Sequence, residues 1–589
     1  MGIIPETFGG MTTVLLQRSS ALADIAGRRV EILTKSVSMP DPVKRAASLH
    51  DDGRLSPRVG IRNVWWDLKE LPDPDLVKLA AKHTASPVID DQLLDPDGQA
   101  EVSRRGADGT ILQTDRFRGD GTRFLSDRRD VKVRGTLGGR RLTVFDHRGM
   151  AVGQWASVRS LYHSWMDWVT GDGEAVLIID SAHTGGLFYD YQRENVTTVQ
   201  VIHTHHMRQM RADDRGELDS DVMKMFTHLD WYDGVAILTN RQQRDLIEAG
   251  VAGANSFVAP NMLVGAPEDP PIERDVSRGV IAARLSGVKR LQHPIRAMRD
   301  VLSSGISAQL DIYGDGVKGA ELQELIESLD IGGSVALKGY EPQARAQFKS
   351  ASFTLLTSVY EGQGLVLLEA MAAGCIPIAY DIEYGPSDII TDGVDGFLVP
   401  NGDVDALAEA MKRIVSMGDD ELAAMRRACI RRSRDFSPAN ITRLWTNELA
   451  AIRKRQKSAG KGAAKASLTG LSMQGRGMHF EIDVETSVEA TKVDKVWIAW
   501  IGRGRNAFGR VPARLTLRDG AVHADGLLGV DCLKDVDPAT LLDVHVDVEG
   551  EGFLARTRIA SQGVPMPGDG EGFVPYSTVN GNLSIKYLR

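Results

Sequence analysis

The chain has 589 residues, of which 42% are apolar and 25% charged, so it is long enough for about three or four domains with packed cores. No stretch approaches the roughly 18 uncharged apolar residues of a membrane-spanning helix, and the first residues lack the basic and apolar regions of a signal peptide. The net charge of −9 excludes a uniformly basic surface for nucleic acid. Three cysteines are too few for a disulfide framework, so we expect a cytoplasmic protein, with peripheral contact at the inner face of the membrane left open.

The N-terminal region has the pattern of an α/β domain. Residues 1–36 contain, in order, a glycine turn, a helical apolar pattern and a short strand pattern at 30–33. Apolar runs typical of buried parallel strands return further along the chain, at residues 175–180, 198–203 and 234–239. We therefore predict a Rossmann-like N-terminal acceptor domain made of residues 1–90 and 151–265.

Residues 91–150 interrupt this domain with a different pattern. The octapeptide GTILQTDR at 109–116 recurs as GTRFLSDR at 121–128, and this period of twelve residues suits short antiparallel strands joined by Gly/Asp turns. Twelve Lys and Arg against seven Asp and Glu give residues 101–150 a net charge of +5 within an acidic chain. We predict a β-meander insertion over residues 91–150.

A second series of strand patterns alternates with helical stretches at residues 279–285, 308–314, 334–339, 353–358 and 376–381. Asp269, Pro270 and Pro271 mark a linker before it, so we predict a C-terminal Rossmann-like domain over residues 266–450. Residues 451–470 hold six basic residues and no acid, which is typical of a linker. Alternating strand patterns after this basic linker predict a β-sandwich accessory domain over 471–589.

The segment YEGQGLVLLEAMAAGCIP (360–377) carries the strongest functional pattern. A Gly-rich loop containing Glu361 leads into a predicted helix at 365–373, which ends at Gly374. The free N–H groups and the dipole of such a helix start favour a phosphate. Glu369 follows Glu361 after seven residues. Because a carboxylate repels phosphate, we expect both to accept hydrogen bonds from hydroxyls rather than to serve as a helix cap and a surface charge.

The segment AARLSGVKRL (282–291) places two cations at the end of a predicted buried strand. Open α/β sheets bind ligands at the carboxyl ends of their strands, so Arg284 and Lys289 suit a diphosphate. Solvated surface charge is the alternative for either cation alone. Gly9 and Gly10 precede the first helix and would let the backbone approach a ligand closely, although an ordinary tight turn gives the same pattern.

The segment VIHTHH (201–206) ends a predicted strand in three histidines, His203, His205 and His206. A metal site is disfavoured because two of them are neighbours and no nearby carboxylate or thiolate completes a ligand set. We expect a single strand-end histidine that donates to a substrate hydroxyl. Cys375 is interpreted as a buried packing residue rather than a nucleophile.

Together with DIEYGPSDII (381–390), these segments resemble the retaining nucleotide-sugar glycosyltransferases of the GT-B fold, over roughly residues 1–450 apart from the insertion. The EGQGL and DIEYGPSD elements and the early β-rich insertion are similar to those of wall teichoic acid (poly(polyol-phosphate)) α-glycosyltransferases. They are also similar to the O-glycosyltransferases of serine-rich adhesins. The resemblance implies an α/β architecture with two Rossmann-like domains that face a cleft, the nucleotide sugar lying mainly on the second.

The resemblance also implies a role for each matching residue. Catalytic roles fall to Glu361 at the sugar hydroxyls, His203 at the reacting centre, and Arg284 and Lys289 at the diphosphate. Donor-binding roles fall to Gly10, Gln363, Gly364, Leu365 and Glu369. Among these, Glu369 would bind the ribose and Gly10 would pack beside the phosphates. The resemblance implies no metal and no other cofactor.

We therefore expect a UDP-sugar-dependent retaining hexosyltransferase. It would move a hexose or N-acetylhexosamine to a hydroxyl of a cell-wall polyol-phosphate polymer of the teichoic acid type. A protein O-glycosyltransferase acting on Ser/Thr-rich substrates and a non-catalytic nucleotide-sugar-binding subunit stay open as alternatives. The arginine-rich insertion either binds the anionic polymer or pairs with its own acids and forms a homo-oligomer interface.

Overall fold

The computed structural model describes residues 4, 9–39, 41–84, 93–133, 136–204, 223–248, 251, 253, 255–265, 274–457, 463–503, 508–518, 520–533, 536, 540–550, 553–568 and 572–588. The chain divides into two compact units, Met1–Val199 and Gln200–Arg589. The predicted linker at Asp269–Pro271 and part of the basic linker lie outside the described residues. None of the described helices combines the length and apolarity needed to cross a bilayer.

The described elements of the first unit are, in chain order, α1 (Gly10–Asp24), β1 (Val30–Thr34), α2 (Pro42–Asp51), β2 (Val59–Asn63), α3 (Val64–Glu70), α4 (Asp73–Leu79), β3 (Glu101–Arg105), β4 (Ile111–Phe117), β5 (Arg123–Val133), β6 (Thr136–Phe145), β7 (Ala151–Trp155), α5 (Val158–Thr170), β8 (Ala175–Ile179) and α6 (Ala182–Phe188).

Parallel strands and helices form the α/β part of this unit. Strand β1 pairs in parallel with β2, as expected for a Rossmann-like start. Arg18 on α1 forms a buried ion pair with Asp180, which follows β8, at 2.6 Å between Nη2 and Oδ2. Strand β8 departs from the prediction of a buried strand, because Val176 is 48% exposed. An apolar run does not by itself reveal whether both faces of a strand are covered.

Residues 101–155 form a five-stranded antiparallel sheet in the order β3-β4-β5-β6-β7. The repeated octapeptide explains its turns, since Gly109 and Gly121 both adopt φ of +83° in front of β4 and β5. The carboxylates of Asp108 and Asp120 accept backbone N–H bonds from Thr110 and Thr122 across these turns. A Gly/Asp turn at a period of twelve therefore sets the two hairpins.

The arginines of this sheet are mostly paired within it. Six of them contact carboxylates of the same sheet: Arg104 and Arg128 with Asp130, Arg129 and Arg140 with Asp127, Arg116 with Glu101, and Arg123 with Asp115. Arg118 instead donates to four backbone carbonyl oxygens. Of the two interpretations of this basic segment, the described contacts support pairing with local acids.

The described elements that follow are β9 (Val196–Ile202), α7 (Met223–Phe226), β10 (Gly234–Ile237), α8 (Asn240–Glu248), β11 (Ser256–Val258), β12 (Arg278–Ala282), α9 (Gln292–Ser303), β13 (Gln309–Tyr313), α10 (Gly319–Ser328), β14 (Val335–Gly339), β15 (Phe353–Leu356), α11 (Leu365–Ala372), β16 (Ile376–Tyr380), α12 (Pro386–Ile389), β17 (Phe397–Val399), α13 (Val404–Val415), α14 (Asp419–Arg434), α15 (Pro438–Lys457), β18 (Ala464–Gln474), β19 (Gly477–Thr486), β20 (Val493–Gly502), β21 (Phe508–Arg518), β22 (Ala521–Gly529), β23 (Leu541–Gly550), β24 (Phe553–Ala560), β25 (Phe573–Ser577) and β26 (Leu583–Tyr587).

A six-stranded parallel sheet organises residues 278–399 in the order β14-β13-β12-β15-β16-β17. Its strands are rich in fully buried aliphatic and aromatic residues, so both faces are covered by helices, as in other doubly wound sheets. The strand order reverses between β12 and β15, which are neighbours but not consecutive. Such a reversal opens a crevice at the carboxyl ends of the two strands.

The C-terminal strands form a ring rather than the predicted sandwich. Hydrogen-bonded neighbours run β20-β21-β22-β19-β18-β24-β23, and a direct β20–β23 pairing closes this ring, while β26 and β25 extend from β23. The prediction of two separate sheets is therefore corrected. Alternating apolar residues give a strand one buried face in a barrel as well as in a sandwich, so the pattern could not distinguish them.

A buried charge network attaches this ring to the segment before β10. Arg510 on β21 lies 2.5 Å from Asp230 and 3.1 Å from Glu549, and its side chain is 2% exposed. Arg556 on β24 donates to the backbone oxygen of Thr227 and holds Asp547 through two bonds. Paired charges of this kind are costly to separate, because each partner left behind would be buried without compensation.

Candidate functional site

The reversal between β12 and β15 brings together two segments that the sequence predicted separately. Arg284 and Lys289 follow β12, and Glu361 follows β15. Because these strands are parallel neighbours, their carboxyl ends open on the same edge of the sheet. The AARLSGVKRL and YEGQGL motifs therefore meet at the crevice.

Lys289 and Glu361 are in direct contact. The Nζ of Lys289 lies 2.5 Å from Oε1 of Glu361, and the hydroxyl of Ser358 donates to the same oxygen at 2.6 Å. Both charged side chains are largely shielded from solvent. The carboxylate is held at one oxygen by a cation and a hydroxyl, so its orientation is fixed.

Arg284 is placed differently from Lys289. It is exposed, and in the described part of the chain its guanidinium has no hydrogen bond or ion pair. A cation at the mouth of a strand-end crevice that no carboxylate neutralises is available to an anionic ligand. Among the described residues, Lys289 is therefore paired with a carboxylate whereas Arg284 is not.

Helix α11 begins beside them. Gly364 precedes its first residue with φ of +86°, and the helix runs over Leu365–Ala372, one residue shorter than predicted. Gln363 is 3% exposed; its Oε1 accepts the backbone N–H of Asn261 at 2.8 Å, while its buried Nε2 has no partner among the described residues. Unpaired N–H groups at the helix start and a buried amide donor give this turn a surplus of hydrogen-bond donors.

Glu369 lies on α11 with its side chain 14% exposed. Burial raises the pKa of its carboxyl group to about 7, and the exposed Arg345, 2.8 Å away, opposes this shift. Near neutral pH the carboxyl group is therefore partly protonated in the free protein. A hydroxyl donor brought to it would favour the ionised form.

The remaining predicted residues are placed as follows. His203 directly follows β9, and its backbone oxygen lies against Gly362, where an added Cβ would come within 2.1 Å. The Glu361 loop and the strand-end histidine are thus adjacent. Gly10 is the first residue of α1 in the other unit, and its role beside the phosphates stays a prediction. His205 and His206 lie outside the described residues.

The sequence analysis did not identify Arg290, which stabilises the backbone leading into the Glu361 loop. Its guanidinium donates to the backbone oxygens of Thr357 and Ser358 and to Asn401, and so fixes the start of the Glu361 loop. Its position next to Lys289 gives no signal that distinguishes a structural cation from a ligand-binding one. Cys375 is fully buried, which confirms its interpretation as a packing residue. Within the described ranges, no three His, Cys, Asp or Glu side chains form a cluster that could hold a metal ion.

The comparisons with known proteins agree with this geometry. Residues 271–436 match the model of the family "Glycosyl transferases group 1". The poly(glycerol-phosphate) alpha-glucosyltransferase of Bacillus subtilis (strain 168) is 25% identical over 408 residues, 65% of this chain and 58% of that protein. The poly(ribitol-phosphate) alpha-N-acetylglucosaminyltransferase of Staphylococcus aureus (strain COL) is 27% identical over 278 residues, 46% of this chain and 55% of that protein. The chain thus spans little more than half the length of either relative.

A solved structure shows the fold. A point mutant of S. aureus TarM in complex with Fondaparinux, alpha-GlcNAc-glycerol and UDP superposes with a TM-score of 0.55 and 18% identity, covering 76% of this chain and 98% of that one. This likeness identifies the GT-B glycosyltransferase fold. The part of the chain that matches the family "Glycosyl transferases group 1", residues 271–436, contains both the Lys289–Glu361 pair and helix α11.

Proposed function

We propose that the protein is a retaining glycosyltransferase that moves a hexose or N-acetylhexosamine from a UDP-sugar to a hydroxyl of a polyol-phosphate polymer. One observation carries the proposal. Lys289 and Glu361 are in contact at the sheet reversal, where Arg284 also follows β12, and helix α11 begins just after Glu361. Cations and N–H groups suit a diphosphate, and an adjacent oriented carboxylate suits sugar hydroxyls.

The donor would lie across the carboxyl ends of β12 and β15. Its diphosphate would contact Arg284, Lys289 and the backbone N–H groups of Gly364 and Leu365, which lie at the start of α11 where N–H groups have no acceptor within the helix. Glu361 would accept hydrogen bonds from the sugar, with the amide of Gln363 close by. Glu369, in its ionised form, would accept from the ribose hydroxyls. No metal enters this proposal, because the cations of the chain supply the positive charge.

In the proposed reaction, the bond between the anomeric carbon and the diphosphate oxygen breaks on the same face on which the acceptor hydroxyl attacks. The acceptor proton passes to the leaving phosphate oxygen, so the products are the glycosylated acceptor and UDP. Negative charge grows on that oxygen during bond breaking, and Arg284 and Lys289 would stabilise it. A group that contacts developing charge in this way contributes about 3–4 kcal/mol to lowering the barrier.

The names of the relatives support a polyol-phosphate polymer as the proposed acceptor. One acts on poly(glycerol-phosphate) and the other on poly(ribitol-phosphate), and the TarM complex holds a GlcNAc-glycerol with UDP. Because six arginines of the β-meander are already paired with carboxylates, we do not assign polymer binding to that sheet as a whole.

A donor and acceptor panel read by product mass tests this proposal. The purified protein is incubated with UDP-glucose, UDP-N-acetylglucosamine or UDP-galactose, and with poly(glycerol phosphate), poly(ribitol phosphate) or a Ser/Thr-rich peptide. Addition of one sugar mass to a polyol-phosphate chain is the expected result. Labelling of the peptide alone would instead indicate a protein O-glycosyltransferase. UDP-sugar binding without release of UDP or transfer would indicate a non-catalytic subunit.

A further inference from the structure

The start of helix α8 is tied to the segment that follows β16. The carboxylate of Asp388 accepts the backbone N–H of Asn240 at 2.7 Å and its side-chain amide at 2.8 Å. The guanidinium of Arg241 donates from Nη1 to Asp381 at 3.0 Å and from Nη2 to Glu383 at 3.2 Å. These bonds, together with one from the backbone N–H of Arg241 to Oδ2 of Asp388 at 3.4 Å, hold this segment, residues 381–388, against the helix.

The same segment is bonded to the Glu361 loop. The backbone N–H of Glu361 donates to the carbonyl oxygen of Glu383 at 3.2 Å, and the N–H of Tyr384 donates back to the carbonyl oxygen of Glu361 at 3.0 Å. Gly385 packs so closely on Gln363 that an added Cβ would lie 1.8 Å from its carbonyl oxygen. Any shift of residues 383–385 must therefore move the backbone that carries the Glu361 carboxylate.

Arg241 is the charge that keeps this segment in place. Its two partners, Asp381 and Glu383, are both acidic and meet at one guanidinium. Glu383 is the better shielded partner, with a side chain 17% exposed. Loss of the guanidinium removes both of these bonds and the positive charge that attracts the two carboxylates to α8. The side chain of Tyr384 forms a hydrogen bond with Asp245 on the same helix. Helix α8 therefore holds both Glu383 and Tyr384, the two residues whose backbone is bonded to Glu361.

We propose that Arg241 is a positioning residue for Glu361. It touches neither substrate nor reacting atoms, and it acts by holding residues 381–388, whose backbone in turn sets the direction of the Glu361 carboxylate. The kinetic part of this inference rests on the proposed function. The structural part, that Arg241 orders the Glu361 loop, stands apart from it.

Hydrogen–deuterium exchange tests the structural part without any substrate. Arg241→Ala should speed exchange at the amides of Glu361 and Tyr384, while Arg241→Lys, which keeps one cation, should restore part of the protection. Arg244→Ala is the matched control, since Arg244 lies exposed on the same helix and has no partner among the described residues. Unchanged exchange at both amides in Arg241→Ala would overturn the inference.

Kinetics test the catalytic part. Arg241→Ala should lower kcat by about tenfold to a hundredfold, because a small displacement of a reacting geometry costs that much, and should leave the Kd for UDP nearly unchanged. In a Glu361→Gln background, Arg241→Ala should lower kcat by a much smaller factor, since the carboxylate that Arg241 positions is already lost. An equal loss in both backgrounds, or an unchanged kcat, would overturn the inference. If the wild-type protein transfers no sugar, the proposed function fails, and the exchange result still decides whether Arg241 orders the loop.

Discussion

The Nζ of Lys289 lies 2.5 Å from Oε1 of Glu361, although the two residues are 72 positions apart in sequence. The contact exists because β12 and β15 are parallel neighbours at the point where the sheet order reverses. The cation proposed to bind the diphosphate and the carboxylate proposed to bind the sugar thus stabilise each other in the free protein. The pair orders both side chains in advance, which reduces the reorganisation that catalysis requires.

Lys289→Ala should lower kcat by about 10²–10³-fold, since it removes a charge that stabilises the leaving diphosphate and also frees Glu361. The measurement is the rate of UDP release with a saturating UDP-sugar and acceptor. Lys412→Ala serves as the control, because Lys412 pairs with Glu409 on the surface of α13 and should not affect the rate. A nearly normal kcat in Lys289→Ala would show that Lys289 does not stabilise the leaving diphosphate.

Binding of the donor should tighten as the pH rises through about 7. Burial raises the pKa of Glu369 to about 7, so its carboxyl group is protonated on the acid side in the free protein. Ribose hydroxyls favour the ionised form, which lowers this pKa on binding and makes affinity increase with pH. The Kd of a UDP-sugar, measured by calorimetry from pH 6 to 8, should show this trend in the wild type and lose it in Glu369→Gln. The same slope in both proteins would contradict the role of Glu369.

Gly385→Ala should impair activity far more than Gly393→Ala. At Gly385, a Cβ would lie 1.8 Å from the carbonyl oxygen of Gln363 and the φ angle is +112°, so both the Glu361 loop and the turn at Gly385 must move. At Gly393, φ is also positive (+72°), but nothing lies within 4 Å of the added atom. The control substitution should therefore cost only about 1 kcal/mol of backbone strain.

The thermal midpoint and the kcat of Gly385→Ala and Gly393→Ala are measured and compared with those of the wild type. We expect a clear loss of kcat in Gly385→Ala and a small loss of thermal midpoint in Gly393→Ala. Equal effects of the two substitutions on kcat would show that contact with Gln363 is not what matters at position 385.

The thermal stability of the contact between the C-terminal ring and the segment before β10 should depend on pH through Asp230. Burial raises the pKa of this carboxyl group to about 6 in the folded protein, above its value of 3.8 in a model compound. The folded state therefore binds the proton more tightly than the unfolded state. The stabilising contribution of the protonated group is complete below about pH 4 and is lost as the pH rises towards 6.

Asp230→Asn removes this titration. The thermal midpoint of the wild type should fall relative to that of Asp230→Asn between about pH 4 and 6.5, whereas Asp420→Asn, at an exposed position on α14, should run parallel to the wild type. A constant difference between wild type and Asp230→Asn across this range would contradict the burial of a titrating carboxyl group at position 230.

Much of the part of the chain that carries the six-stranded sheet could be predicted from the sequence. Four of its five strand predictions between 279 and 381 contain a strand of the six-stranded sheet, the prediction at 279–285 overlaps β12, and the helix after Gly364 was predicted to within one residue. Short apolar runs bounded by glycines indicate buried parallel strands, and a glycine before an apolar helix indicates its start. The GTxxxxDR repeat likewise predicted the two turns at Gly109 and Gly121.

What the sequence could not supply are contacts between distant segments. Nothing in the pattern distinguishes Lys289, paired with Glu361, from Arg290, which holds backbone carbonyls, because both are cations in one loop. The bonds from Arg241 to Asp381 and Glu383 join positions 140 and 142 residues apart, so no local spacing reports them. The closure of the C-terminal ring was missed for the same reason, since it depends on which strands pair rather than on which residues are apolar.

Turnover of the wild type and of Arg284→Ala tests the central claim most directly, namely that the sheet reversal is a donor site for sugar transfer. Arg284 has no partner among the described residues, so its removal should leave the fold intact and affect only an anionic ligand. With a UDP-sugar and a polyol-phosphate polymer, we predict transfer by the wild type and a loss of about 10²–10³-fold in kcat for Arg284→Ala at an unchanged thermal midpoint. Equal turnover by the two proteins would contradict the account.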